Sequence, residues 1–280
     1  MLATATTTWV PVLTSEAGLC LTTNNWQEAK VDTAVYYLDA LLLKPGLSLL
    51  QDLPSLALYT NWPGHMIINA SRLKANKEGT ITLISPYNGS KLSLEYSQLM
   101  ALIKHLKPQI LILPPDILKH YPQILDNWNK EIIPYFSSND LPLNNHSSSY
   151  GIYFQIEANF LAVKETLQKY SQHQRYVQGV LNLEQINELR LLGIPLIESE
   201  VPTQLGLEGL VYGNKELIDL KEAAHALSFT KLKTDCLCPT CSAELTRAYL
   251  HHLFAHTPLL CQRFLIQHNA FYVQNFLNRG

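Results

Sequence analysis

Cys236-Leu237-Cys238-Pro239-Thr240-Cys241 places three of the chain's five cysteines within six residues. A buried cysteine is often no more than a small hydrophobe. Three thiols this close in a Pro-containing loop read instead as metal ligands, and thiolates at this density suit Zn²⁺, which takes four tetrahedral sulfur or nitrogen donors. The fourth donor must come from elsewhere, and His251, His252, His256 and His268 follow downstream. A helix is expected from about Ala243 to His256. Thr257-Pro258 ends it, with Thr257 as N-cap and Pro258 as the first residue of a second helix. So short a connection returns the second helix antiparallel to the first. At about 1.5 Å per residue, the chain from Pro258 to His268 descends roughly 15 Å, which brings His268 level with the cysteine loop. His251 and His256 lie up the first helix, away from that loop, and a solvated surface position is expected for His251 and His252. The expected ligands are therefore Cys236, Cys238, Cys241 and His268. A closed Cys₃His shell leaves no position for water or substrate, so the Zn²⁺ is structural and its binding energy belongs to the folding of its subdomain. Cys20 and Cys261 fall outside the cluster and read as ordinary buried thiols.

Beyond this cluster, 47% hydrophobic residues in 280 are ample for one large core or two modest domains. The formal charge of -2 provides no global field to draw the protein to nucleic acid, so any polyanion must be met by a local patch. Met1-Leu2-Ala3-Thr4-Ala5-Thr6 has no basic run and no long apolar run, so no secretory signal is expected. The richest apolar stretch, Ala34 to Leu50, is broken by Asp39, Lys44 and Pro45, far short of the roughly 20 residues a membrane span needs. Clustered cysteines fit a metal site in a reducing compartment better than a disulfide framework. A cytoplasmic protein without a membrane partner is the expectation.

Turn chemistry and periodicity alternate through the first two thirds. Thr80-Ile81-Thr82-Leu83-Ile84 alternates like a strand and runs into the turn Pro86-Tyr87-Asn88-Gly89. Ser93 reads as the N-cap of a helix with Leu99, Met100, Ile103 and Leu106 on one face, closed by Pro108. Ile110-Leu111-Ile112-Leu113 is a short apolar run of the kind covered on both faces. Gly151 to Ile156 is strand-like and Asn159 to Tyr170 helix-like. Glu184 to Leu192 reads as a helix ended by Gly193, with a strand over Ile194 to Ile197. Asn144 to Ser149 reads as a loop or the scar of an excised segment. This alternation argues for an α/β fold with a mainly parallel sheet. The part before the cysteines falls slightly short of the roughly 250 residues of a complete (β/α)8 barrel.

The block Cys236-x-Cys238-x-x-Cys241, Thr246-Arg247-Ala248-Tyr249-Leu250-His251-His252-Leu253 and His268-Asn269 resembles the end of the tRNA-guanine transglycosylases. Those proteins carry C-x-C-x-x-C, S/T-R-A-Y-L-x-H-L and a late I-H-N. Arg175-Tyr176, Gly179-Val180, Gly193-Ile194 and Pro202-Thr203 are similar to a second family run. Leu43 to Gly46, Asn61-Trp62 and Gly89 to Lys91 make a weaker third. The resemblance implies a shortened or eroded TIM-type (β/α)8 barrel with a C-terminal helical zinc-binding subdomain. Residues 1–234 would form the barrel-like region, incomplete relative to the family, and 235–280 the zinc subdomain. It also implies exchange of guanine in tRNA for queuine or a 7-deazaguanine precursor. An aspartate attacks the ribose anomeric carbon and a second carboxylate moves protons, the logic of a retaining glycosidase.

Position by position, the chain departs from that pattern. Where the family has its nucleophile, this chain reads Leu196-Ile197-Glu198-Ser199-Glu200 before Val201-Pro202-Thr203-Gln204. Glu198 is one methylene longer than aspartate, and a displacement of about 1 Å can reduce the rate about 10²-fold. It reads either as a weakened nucleophile or as a solvated glutamate at a strand end. The second carboxylate aligns with Asn69 of Asn69-Ala70-Ser71-Arg72-Leu73-Lys74, and an amide cannot take or give a proton as a carboxylate does. Asp116 reads as a displaced base-recognition acid or as an N-cap. Three functions stay open: a non-catalytic member that binds tRNA or pairs with an active transglycosylase or a second copy of itself, an active base-exchange enzyme using Glu198, and a zinc-stapled scaffold. Lys231, Lys233, Arg247 and Arg263 form either a modest phosphate-facing patch or an ordinary solvated face, offset by Asp235 and Glu244.

Overall fold

A computed structural model describes residues 7–125, 128–141, 150–157, 159–214 and 216–278. The first six residues and the polar stretch from Asn144 to Ser149 lie outside the described residues. The fold is α/β. Its strands are β1 Thr8–Val10, β2 Thr33–Tyr37, β3 His65–Asn69, β4 Ile110–Ile112, β5 Ile133–Ser137, β6 Gly151–Ile156, β7 Gln174–Gly179 and β8 Leu196–Glu198. They form one eight-stranded sheet in the order β1-β8-β7-β6-β5-β4-β3-β2, the cyclic order of a (β/α)8 barrel. The ladders β1–β8, β2–β3, β3–β4, β4–β5 and β5–β6 are parallel. The barrel is reduced in the length of its strands, not in their number: β1, β4 and β8 have three residues each.

By compactness the chain forms two units, residues 33–178 and residues 1–32 with 179–280. In the first, β2 (Thr-Ala-Val-Tyr-Tyr) is buried at every residue, as a strand covered on both faces must be. Helix α1, Tyr96–Leu106, buries Leu99, Met100, Leu102, Ile103 and Leu106. Its cap is Glu95, not Ser93: the Glu95 N–H donates to Gln98 Oε1 at 3.0 Å. Ser93 is instead taken up by a hairpin, Thr80–Ile84 with Lys91–Glu95, where it pairs with Thr82. Helix α2, Phe160–Lys169, starts at Asn159, whose Oδ1 accepts from the Ala162 N–H at 3.1 Å. Gly151 opens β6 where a Cβ would lie 2.3 Å from the Tyr135 ring, so no other residue fits without moving that ring.

In the second unit, β1 and β8 pair with Trp9 opposite Ile197. Helix α3, Leu183–Leu191, is capped by Asn182 and Gln185 and followed by Gly193 at φ +68°, a left-handed conformation that favours glycine. Helix α4, Val201–Leu207, leads to a hairpin of Leu210–Tyr212 and Leu217–Asp219. Helix α5, Arg247–His256, begins later than the expected Ala243. A separate turn, Pro239–Ser242, forms within the cysteine loop, Glu244 takes φ +58°, and Thr246 Oγ1 caps α5 by accepting from the Tyr249 N–H. Helix α6 is Pro258–Asn278. It returns antiparallel along α5, with Cys261 Sγ donating to the Leu250 carbonyl at 3.2 Å. Every residue of α6 from Leu265 to Phe271 is buried, the mark of a helix running through a core. Gly206 of α4 is what lets that helix approach: a Cβ there would lie 2.8 Å from the Ile266 backbone nitrogen. Among the described residues no helix is long and apolar enough to cross a membrane.

Candidate metal centre and strand-end cleft

The structure brings Cys236, Cys238, Cys241 and His268 together, with all four donor atoms within 4.8 Å of one another. Local chain geometry explains the arrangement. Cys238 caps the turn Pro239–Ser242, its Sγ accepting from the Cys241 N–H at 3.3 Å, so both sulfurs face the same side. Proline at the first helical position fixes the turn. From α6, His268 Nδ1 approaches Cys238, Cys241 and Cys236 at 3.3, 3.5 and 3.8 Å. In a tetrahedral zinc site, with bonds of about 2.3 Å to sulfur and about 2.0 Å to nitrogen, sulfur and nitrogen sit roughly 3.5 Å apart. The donor set fits such an ion.

The imidazole is oriented from its far side. His268 Nε2 lies 2.8 Å from the Tyr212 carbonyl, which can only accept, so Nε2 carries the proton and Nδ1 offers its lone pair to the cluster. Neighbouring side chains lock α6 at this height. Asn269 Oδ1 accepts from the Tyr212 N–H, and its Nδ2 donates to the Pro202 and Leu210 carbonyls. Gln267 Nε2 donates to the Asn25 carbonyl and to Glu28 Oε2. The clustered donors act strongly on one another. Hydrogen bonds from Cys238 and Cys241 hold the Cys236 thiol far below its ordinary range, while hydrogen bonds with Cys236 and Cys241, together with burial, drive Cys238 up. Burial pulls the His268 imidazole down, but its contacts with Cys236 and Cys241 outweigh that and leave it up at about 9. A divalent cation removes the conflict by stabilising every thiolate and the neutral imidazole at once.

The other candidate histidines and the remaining thiols separate from this cluster. His251 is half-buried, not solvated as expected, because its Nδ1 lies 2.7 Å from the Leu220 carbonyl. His252 and His256 are exposed, one turn apart, with ring centroids 4.5 Å apart. Cys261 is buried and its thiol is pushed up to about 12. Cys20 is only half-buried, its Sγ donating to the Glu16 carbonyl. Three of the four basic residues are engaged by neighbours, and Arg263 is exposed. Lys231 pairs with Glu244 at 2.6 Å, Arg247 donates to the Lys231 and Leu232 carbonyls, and Lys233 lies over the Tyr272 ring.

In the unit of residues 33–178, a cleft of about 850 Å³ opens beside the C-terminal ends of β3, β5 and β6, lined among others by Ser71, Arg72, Ser137, Tyr153 and Gln155. That end of the strands is where barrels of this class carry their chemistry. Two of its lining residues, Ser71 and Gln155, belong to a neutral hydrogen-bond network. Asn69, fully buried, donates through Nδ2 to Gln178 Oε1 at 2.8 Å and accepts from the Ser71 N–H. Gln178 Nε2 in turn donates to Ser71 Oγ and Gln155 Oε1. Arg72 lies flat on the Tyr37 ring at 3.6 Å. Asp116 stands at the N-cap position of Ile117–His120 at φ +59° and pairs with Lys119. In the other unit, Glu198 ends β8 and is 4% exposed, so the solvated reading does not hold. The residue after it is pinned: Ser199 Oγ donates to the Leu181 carbonyl and its own carbonyl accepts from Trp9 Nε1.

A family model described as queuine tRNA-ribosyltransferase matches residues 154–279, a stretch that holds β7, β8, α3 to α6 and all four clustered donors. Over that stretch the chain is similar to the queuine tRNA-ribosyltransferases. A queuine tRNA-ribosyltransferase of Desulfosudis oleivorans is 34% identical over 104 residues, covering 37% of this chain and 27% of that protein. One from Prochlorococcus marinus is 31% identical over 104 residues, 37% of this chain and 28% of that protein. One from Blochmanniella floridana is 23% identical over 283 aligned residues, 85% of this chain and 75% of that protein. The chain thus aligns with little more than a quarter of the length of the first two transglycosylase relatives. Two features of this chain are absent from the expectations drawn from its sequence. Gln267 and Asn269 flank His268 as polar residues inside an apolar helix, a signal that was available. The partnership of Asn69 and Gln178 spans 109 residues of chain and left none.

Proposed function

We propose that this chain is a catalytically impaired or non-catalytic tRNA-binding member of its family. It acts in queuosine-type tRNA modification beside an active transglycosylase or a second copy of itself in the cytoplasm. Asn69 carries this reading. The resemblance asks for a carboxylate there, and the amide that replaces it has no proton to exchange and is engaged with Gln178 and Ser71. Cys236, Cys238, Cys241 and His268 hold a structural Zn²⁺, and residues 235–280 act as the metal-stapled subdomain beside a barrel region over 1–234. The ion supplies folding energy and no chemical step.

One observation favours a second reading, an active base-exchange enzyme with Glu198 as nucleophile. That carboxylate is nearly fully buried at the C-terminal end of a barrel strand, a position where such folds place reactive groups. The test is incubation of the purified protein with undermodified tRNA and labelled guanine, alone and with a known active transglycosylase. The expected result is no incorporation by the protein alone and a salt-sensitive shift of tRNA in a binding assay. Incorporation that disappears in Glu198→Gln would replace the first reading with the second. Absence of both incorporation and tRNA retention would leave a scaffold.

A further inference from the structure

We infer that His252 and His256 form a second, open metal site, a surface chelate for a divalent transition ion such as Ni²⁺, Cu²⁺ or Zn²⁺. Both side chains project from the last turn of α5, are exposed, and keep their ring centroids 4.5 Å apart. The spacing, four residues on a helix, puts two imidazoles on one face, the arrangement that places paired histidines on a single zinc ion in helical metal sites.

The distance carries the inference. A metal lies about 2.0–2.1 Å from an imidazole nitrogen, hence roughly 3.2 Å from the ring centre. Two rings meeting one ion at 90–110° therefore have centroids about 4.5–5.2 Å apart. The observed 4.5 Å falls at the close end of that window, so the spacing of the rings suits a shared ion. Its place adds to this. The C-terminal end of a helix carries partial negative charge and favours a cation. Residue 257 already satisfies part of that end, its N–H and hydroxyl both donating to the Leu253 carbonyl.

The chemistry differs from that of the buried cluster. Two neutral imidazoles without a thiolate hold the ion weakly and leave the remaining positions to water or to an outside donor. Neutral nitrogen donors suit Cu²⁺, Ni²⁺ and Zn²⁺, with Cu²⁺ the tightest. His251, adjacent to His252 in sequence, is turned about 100° around the helix from it and stays out of this site.

Titration calorimetry with Ni²⁺ on the full chain, previously saturated with Zn²⁺ and freed of excess metal, tests the site. One further equivalent is expected, and His252→Ala and His256→Ala should each weaken it about tenfold or more, a change of about 1.4 kcal/mol. His105→Ala, at an exposed histidine of α1, should leave it unchanged. All three positions are exposed, so circular dichroism and bound Zn²⁺ should match the parent protein. Absence of a second equivalent, or one that persists undiminished in His256→Ala, would overturn the assignment.

Discussion

The cysteine cluster and the strand-end cleft preserve opposite things. At the cluster, donor type and donor geometry both fit the chemistry that the family resemblance implies, down to a carbonyl that sets the imidazole tautomer. Next to the cleft the surrounding strands persist, yet the position where the resemblance asks for a carboxylate is an amide held in a neutral network. A site that contributes folding energy is retained by stability alone, because its loss unfolds the region around it. A site that contributes only reactivity has no such protection, and its residues can change while the barrel stands.

Removal of the proposed metal tests that contrast most severely. Structural zinc contributes apparent binding energies of about 10–16 kcal/mol in small peptides, comparable with the roughly 5–15 kcal/mol that hold a whole domain together. Chelation, or Cys238→Ala, should strip amide-exchange protection from residues around the cysteine loop and α6, while β2 to β6 keep theirs. Equal loss in both units would break the comparison. Next in size is Asn269→Leu, which leaves the Tyr212 N–H and the Pro202 and Leu210 carbonyls without their partner. At about 1–3 kcal/mol for each buried group left unsatisfied, a loss of about 3 kcal/mol or more in urea unfolding is expected.

The cleft should respond more mildly. Asn69→Asp places a carboxylate in a fully buried amide network, and burial raises its pKa above the unfolded value near 3.9. The charged form is then the destabilising one. The variant should be about 1–3 kcal/mol less stable than the parent at pH 7, and the deficit should shrink as pH falls through the folded pKa. A deficit that grows on acidification would show the carboxylate to be stabilised there, and the site to be better suited to acid chemistry than its present residues suggest. The smallest effect belongs to Asn159→Ala, which removes the cap of α2 beside the cleft and should reduce stability by about 1 kcal/mol. A far larger effect on tRNA retention than on stability would mark that helix end as a contact.

How far the sequence could be read depended on how local each cause is. The cysteine spacing and the Thr257-Pro258 turn are local signals, and helix geometry carried them to His268. Asn159 and Gly193 likewise declared the ends of their helices. Three-residue strands such as Ile110–Ile112 and Leu196–Glu198 are too short to show a period, so the full set of eight could not be counted from alternation. Ser93 was a sound cap by type, but the hairpin register claimed it and passed the cap to Glu95. The burial of Glu198 and the half-burial of His251 depend on what packs over them from distant parts of the chain.

The tripeptide Gln267-His268-Asn269 makes α6 behave like a key cut for three wards. Each side chain engages a different part of its unit, and all three are set by one rotation angle. A helix turns about 100° per residue. Inserting or deleting a single residue between Pro258 and Gln267 would therefore swing the trio out of alignment together, so length changes there should be rejected even where individual substitutions are tolerated.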